Sequence, residues 1–532
     1  MKKLIIGGFA ILNLWGCAQF IPPTGGKKDI IAPKLVSSNP KNQTINFKDK
    51  SIDIEMDEFI ETTSLKQELL ITPNPEGTFE VKNKGKAVKL IFEKPFLPNT
   101  TYTLNFRNGI KDVNEKNPSK NLKLIFSTGK KIDSLKLSGT ITQLMTNKPA
   151  LEALVGLYEL NDTLVYYKRK PKYFIKTDSS GKYEFENIKN GKYQVMAFTD
   201  KNNNLKFDER NEMMGFVRDT INLETNKEKV NIKIYPYDHK NPKLKRTVQR
   251  SEYYSLQFDK GIKNYKVEFK NKLDSIPYKA EAQSITFFNY PTKKDTIGVK
   301  VFAIDSVDNH LELNQKIKFA ENENKKTIKR KFNVDIKQKN GTEIDKPIIY
   351  NLNFEFPLIA IQKEKIHIQK DTINKIKIDS IIVSPTQTEI KLVAKGDSLK
   401  DLSHLIIEAG AFVNIYSDTN TVIKSKNIIA IEEDFGKLEG TIENKKGVNK
   451  IIQLINEETQ KVVLEERTKI KYSFKKVKPA SYIIRIIDDV NNNGRWDMGD
   501  LEKNQIAEMV SVFNTIIKIK SNFEIVQNIK EE

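Results

Sequence analysis

Apolar and polar residues alternate with period two along most of the chain. Ser51-Ile52-Asp53-Ile54-Glu55-Met56 and Thr101-Tyr102-Thr103-Leu104-Asn105-Phe106 each set three apolar side chains at every second position. Successive side chains of a strand point to opposite faces, so both runs predict strands with one face on a core and the other in water. Pro98-Asn99-Thr100 and Asp112-Val113-Asn114-Glu115 supply the turns between such runs. The middle of the chain continues the pattern in Tyr265-Lys266-Val267-Glu268-Phe269, Gly298-Val299-Lys300-Val301-Phe302 and Tyr350-Asn351-Leu352-Asn353-Phe354-Glu355-Phe356. The one helix expected is a short connection from Asp397 to Ala409, and the tail beyond Ile517 is expected to fray. Strands without sustained helical periods predict an all-β chain of sandwiches.

An internal repeat sharpens this reading. Leu137-Ser138-Gly139-Thr140-Ile141 recurs as Leu438-Glu439-Gly440-Thr441-Ile442, and Tyr183 to Asp208 aligns without a gap to Tyr472 to Asp497. Two copies of one module are expected. With 532 residues the chain is too long for one core, since single cores stop growing near roughly 250–300 residues. Five modules in line are expected, and such an arm would reach beyond roughly 100 Å from strand lengths of about 17–20 Å plus loops.

Two resemblances give the modules names. Ser38-Asn39-Pro40, Met56-Asp57-Glu58-Phe59, Ile71-Thr72-Pro73, Leu97-Pro98-Asn99-Thr100-Thr101-Tyr102 and Phe126-Ser127-Thr128-Gly129 resemble the bacterial Ig-like domain of the S-layer type. The run from Pro22 to Gly129 is similar to the amino-terminal module of lipoproteins common in Bacteroidetes, which implies an adhesive or spacer module and brings no catalytic residues. In the repeat, Gly181-Lys182-Tyr183-Glu184-Phe185 followed by Gly191-Lys192-Tyr193 resembles the transthyretin-like, or carboxypeptidase-regulatory, β-sandwich. The expected fold is therefore tandem Ig-like and transthyretin-like β-sandwich modules. Its divisions are a signal peptide (1–16), a lipidated tether (17–30), an Ig-like domain (31–129), a transthyretin-like sandwich (130–240), a further sandwich (241–329), an Ig-like sandwich (330–435) and a second transthyretin-like sandwich (436–532).

The amino terminus changes the picture from fold to location. Met1-Lys2-Lys3 and the apolar stretch Leu4 to Leu14 have the form of a secretory signal, too short for a membrane span. Leu14-Trp15-Gly16-Cys17 resembles a bacterial lipobox, which implies acylation of Cys17, the one cysteine of the chain. Each buried methylene of such an anchor is worth about 0.8 kcal/mol, so several acyl chains hold a protein on a membrane. Ala18 stands where an acidic residue would retain the lipoprotein in the inner membrane, and no acidic cluster follows. The expectation is an outer-membrane lipoprotein on the periplasmic face.

The net charge of +20 comes mostly from lysines that alternate with apolar residues, the pattern of solvated sheet faces. Without clustered Arg and Lys beside stacking aromatics, no nucleic-acid partner is expected. The sequence points instead to the membrane, through the lipid anchor, and to an envelope protein or glycan.

One constellation carries chemistry. In Asp489-Val490-Asn491-Asn492-Asn493-Gly494-Arg495-Trp496-Asp497-Met498-Gly499-Asp500, the residues Asp489, Asn491, Asn493, Asp497 and Asp500 place oxygens at positions 1, 3, 5, 9 and 12, with glycine at 6. Alternate residues of a tightly curled loop converge on a hard cation, so the spacing suits structural calcium. The earlier copy offers Asp200, Asn202, Asn204 and Asp208, with Leu205 at the glycine position and Asn211 at position 12. The same side chains also close Asx-turns on their own backbone, and Phe207 and Trp496 also suit plugs at the end of a sandwich.

No catalytic centre is expected. His239, His310, His367 and His404 are scattered singly, and nucleophile-elbow, phosphate-loop and dinucleotide motifs are missing. Only carboxylates assembled from distant segments would leave room for hydrolysis. The sequence therefore predicts a structural or interaction scaffold of the envelope. Its alternative is a carbohydrate- or peptide-binding module of an uptake system, with Tyr166-Tyr167 and Tyr253-Tyr254 as candidate aromatic platforms.

Overall fold

The computed structural model describes residues 28–160, 166–290, 296–321, 331–369, 375–396, 402–444 and 447–530. Cys17, the leader and most of the tether lie outside the described residues. Among those residues the regular secondary structure is almost wholly strand, with one α-helix, Leu65–Glu68, and four short 3₁₀ turns. The all-β reading holds.

The first sandwich packs the alternating face of Ser51–Met56 and Ala87–Phe92 against Thr101–Asn105 and Lys123–Ser127. Ile52, Ile54, Met56, Leu90, Tyr102 and Leu104 are buried there, as their period predicts. Further sandwiches collect their own cores around Leu256, Phe287 and Val299, and around Tyr350, Leu352 and Leu405. In the latter, Leu402–Ile407 is a strand paired with Ile423–Ile429, so the helix expected over 397–409 is not formed across its described part. Ser403, Leu405 and Ile407 alternate inward, and the polar Ser403 is accommodated because the Tyr350 hydroxyl donates to it at 3.1 Å. The carboxyl-terminal tail does not fray either. Glu524–Val526 runs parallel to Gly436–Thr441, and Ile529 is buried beside Ile442.

The repeat copies are built alike. Leu135–Gln143 pairs with Lys182–Ile188 as Gly436–Thr441 pairs with Lys471–Val477. The shared glycine explains the recurring motif. A Cβ on Gly139 would fall on the carbonyl of Val230, and one on Gly440 on the carbonyl of Gln527. Those carbonyls accept the hydroxyls of Tyr183 and Tyr472, each at 2.6 Å. Glycine thus admits a backbone that the repeated tyrosine then holds. Gly440→Ala is expected to cost about 2–4 kcal/mol, because the obstacle is main chain and cannot rotate away. Thermal denaturation of the variant checks this.

The modules are not strung in line. Leu154-Val155-Gly156-Leu157-Tyr158 is buried at every position, which means that its sheet is covered on both faces. One face, with Val155, Leu157, Tyr193 and Val195, fills the first copy's own core. The other, with Leu154, Tyr158, Met196 and Phe198, joins Ile451, Ile487, Leu501 and Val510 of the second copy in one cluster. Ile452, Leu454, Ile484 and Ile486, on the opposite face of the second copy's sheet, fill that copy's private core. The chain therefore returns on itself, and the expected linear arm is replaced by a body in which the last module rests on the second. Apolar surface on both faces of each sheet drives this, since either copy alone would leave it in water.

Candidate functional site

The two Asp/Asn loops follow directly from the strands Gly191–Phe198 and Ala480–Asp489. In the second copy, Asp489 Oδ1 accepts the Asn493 N–H at 3.0 Å and Oδ2 accepts the Gly494 N–H at 2.9 Å. Asn491 Oδ1 accepts from Asn493 N at 3.1 Å, and Asn493 Oδ1 accepts from Arg495 N at 3.0 Å. The side-chain amides of Asn491 and Asn493 both donate to Asp497 Oδ2. The first copy repeats this bond for bond. Asp200 accepts from Asn204 N at 3.0 Å and Leu205 N at 3.1 Å, while Asn202 and Asn204 donate to Asp208 Oδ2 at 2.6 and 2.9 Å.

Position 6 needs a left-handed backbone, and both copies adopt it, with φ of +75° at Gly494 and +61° at Leu205. Leucine pays a steric penalty there that glycine escapes. Its side chain packs against the core shared by the two copies.

Asp489, Asn491, Asn493 and Asp497 are thus brought together, as are Asp200, Asn202, Asn204 and Asp208. Asp500 is not among them. It caps its own turn by accepting from Glu502 N and Lys503 N, both at 3.0 Å, and pairs with Lys503 at 2.8 Å. Its place is taken by Glu508, whose two oxygens accept from Val490 N at 2.7 Å and Asp497 N at 2.9 Å. In the first copy Glu212, and not its neighbour Asn211, does the same for Lys201 N and Asp208 N, each at 2.8 Å. Glu508 stands 19 positions after Asp489, whereas Glu212 stands 12 after Asp200, so an inserted turn hid the equivalence. Matching glutamates after each loop were the available signal. Burial, with the like charges of Asp200 and Asp208, holds the Glu212 carboxyl above its usual range. Burial and then Asp497 and Asp489 do so for Glu508.

The donor set, three carboxylates and two amides per loop, is all oxygen and suits a hard cation. In the present arrangement the amides point their nitrogens at the ninth-position Asp, and the glutamate oxygens are engaged by backbone N–H groups. No group of three or more His, Cys, Asp or Glu side chains among the described residues is set to hold a metal ion. Each loop stands as a closed knot of Asx-turns.

The second loop also joins three modules. Trp496 meets Tyr235 edge-on with ring centroids 5.7 Å apart, and its Nε1 donates to Glu508 O at 3.0 Å. The Tyr237 hydroxyl accepts from Leu501 N at 3.0 Å, and the His239 ring bonds Gly499 O at 2.8 Å. Arg495 pairs with Asp308 of the following module. The candidate aromatic platforms are not free faces. Tyr254 is core, Tyr253 is half-buried beside it, and the Tyr167 hydroxyl donates to Glu502 at 3.1 Å across the docked copies. The Tyr166 side chain lies outside the described residues.

Residues 29–128 match the bacterial Ig-like domain family. That match falls on the first sandwich. No curated protein matches the sequence. Among solved structures, the S-layer protein SbsC is similar at 11% identity and a TM-score of 0.16 over 91% of this chain and 67% of that one. The major pilin subunit BcpA of Bacillus cereus is similar at 11% identity and a TM-score of 0.13, covering 75% and 99%. The Bacteroides ovatus mixed-linkage glucan utilization locus protein SGBP-B, solved with a mixed-linkage heptasaccharide, is similar at 9% identity and a TM-score of 0.17, covering 72% and 93%.

Proposed function

We propose that this chain is an exported lipoprotein, acylated at Cys17 and held on the periplasmic face of the outer membrane as a structural and interaction scaffold of the cell envelope. The observation that carries the scaffold reading is the core shared by the repeat copies. It joins the last module to the second, so the chain resists extension through packed apolar surface instead of through linkers. Ion pairs support the joints, with Arg107 on Glu152 at 2.6 Å between the Ig-like domain and the first repeat, and Lys478 on Glu343 at 2.7 Å near the other end. Labelling with a palmitate analogue is expected to mark the native chain and to miss Cys17→Ala. Affinity capture from intact envelopes with mass spectrometry is expected to return a reproducible envelope protein. An unlabelled native chain in the soluble fraction would refute the anchored reading.

Calcium belongs to this proposal as a brace on the module joints. Asp489, Asn491, Asn493, Asp497 and Glu508 would supply its oxygens, and Asp200, Asn202, Asn204, Asp208 and Glu212 those of the weaker site. The ion would offset the like charges that raise Glu212 and Glu508. About 10 mM calcium is expected to raise stability by ~1–3 kcal/mol in an extracellular-type site, reversed by chelation and lost in Asp489→Ala. Unchanged melting with calcium leaves the Asx-turn knot as the full account of the loops.

A half-buried Trp496 beside a cleft at the junction of three modules favours a second reading, carbohydrate binding.

A further inference from the structure

A cleft of about 490 Å³ opens where the first repeat copy, the module after it and the loop of the second copy meet. Small-molecule sites span roughly 300–1,000 Å³ and favour junctions between domains. Trp496, Tyr237 and Met498 line it together with Lys260, Asp305 and Ser306. The tryptophan is held at its nitrogen by Glu508 O and at its edge by Tyr235, so its ring is fixed before any ligand arrives.

The charges at the cleft are already matched. Arg210 pairs with Asp238 at 3.1 Å and Asp259 at 2.6 Å. Lys260 pairs with Asp238 at 2.8 Å and Asp305 at 2.5 Å. An anionic ligand needs uncompensated cations, whereas Arg210 and Lys260 of the lining are each bridged to two carboxylates. A ligand that is neutral yet offers both donors and acceptors gains from such a surface, because Lys260 keeps a third N–H and Asp238 Oδ2 a lone pair beyond these ion pairs. A flat apolar ring face beside them completes the requirement.

We propose that this cleft binds a neutral saccharide of about two rings, stacked on Trp496 with its hydroxyls shared between Lys260 and Asp238. The proposal rests on the carbohydrate-binding reading and not on the lipid anchor. Since three modules build the cleft, the ligand would bind only the docked arrangement of the two copies.

The chain contains two tryptophans, Trp15 and Trp496, so in the full chain carrying Trp15→Phe the tryptophan fluorescence comes from Trp496 alone. The probes are cellobiose, maltose, mannobiose, xylobiose and chitobiose, with inorganic phosphate as the anionic control. At least one disaccharide is expected to change Trp496 emission saturably with half-effect below about 5 mM, and phosphate to leave it unchanged. Ser306→Phe, which places a ring in the mouth at an exposed position, is expected to weaken that response at least about tenfold with an unchanged melting temperature. Calorimetric binding of a disaccharide that leaves Trp496 emission unaltered and survives Ser306→Phe would overturn the site while sparing the carbohydrate reading. Calorimetric silence from every disaccharide, or a response to phosphate alone, would overturn both.

Discussion

Ile451→Asp is expected to separate the two repeat copies while leaving each one folded. Ile451 is 1% exposed, yet it lies in the cluster shared with Met196 and Phe198 and not in the private core of its own sandwich. A carboxylate there meets no donor, and an unpaired charge in a dry interface costs about 3–5 kcal/mol or more unless the interface opens to water. Opening is available to this chain because each copy keeps its own core. Urea denaturation of the variant should therefore split into additional transitions, and proteolysis should reach the loop around Trp496. Ile452→Asp is the contrast. Its neighbour in sequence points into the private core, fully buried, so that variant should lose the second copy itself. Similar behaviour of the two variants would contradict two separate faces.

Asp488→Ala comes next in size. Lys450 and Asp488 sit opposite each other in the strand pair of the second copy, with Nζ 2.7 Å from Oδ1 and the lysine side chain 1% exposed. Removing the carboxylate leaves a buried ammonium without that partner, a change that costs about 3–5 kcal/mol. The first copy shows what the fold does without the pair. By register and by the repeat alignment, Ala153 and Thr199 occupy the same two places. Lys450→Ala combined with Asp488→Thr should then be far milder than Asp488→Ala alone, since replacing both ions removes the two buried charges together. Equal melting temperatures for the single and double variants would show that the pair is not desolvated as its burial implies.

Much of the fold was legible because a period of two has one structural meaning when turns bound each run. Ile52, Ile54 and Met56 are buried as that alternation requires. The repeat was legible because Gly139 and Gly440 serve a backbone contact that no other residue allows. The docking of the copies was harder to see, although its signal stood in the sequence. Leu154 to Tyr158 and Ile483 to Ile487 break the alternation with near-continuous apolar runs, the mark of strands covered on both sides. Alternation elsewhere marks strands with a single covered face.

The helix expected near 397–409 failed for a related reason. The described part alternates with period two instead, and Ser403 is a buried strand residue satisfied by Tyr350. At the loops, four residues of each set converge as their spacing indicates. Glu508 escaped notice because the inserted turn that Asp500 caps pushes it out of the expected position. Local spacing identifies groups on one loop; a partner delivered by the next strand requires the fold.

A disulfide reports directly on the packing of the second copy against the first. Asn504 Nδ2 donates to Arg218 O at 3.1 Å across the two copies, and both residues are exposed. Arg218→Cys with Asn504→Cys, in a Cys17→Ala background with no other cysteine, should close an intramolecular disulfide under mild oxidation, giving a faster-migrating monomer on non-reducing gels. Thiols that stay free in the folded monomer, or that link only between molecules, would mean that the copies stand apart.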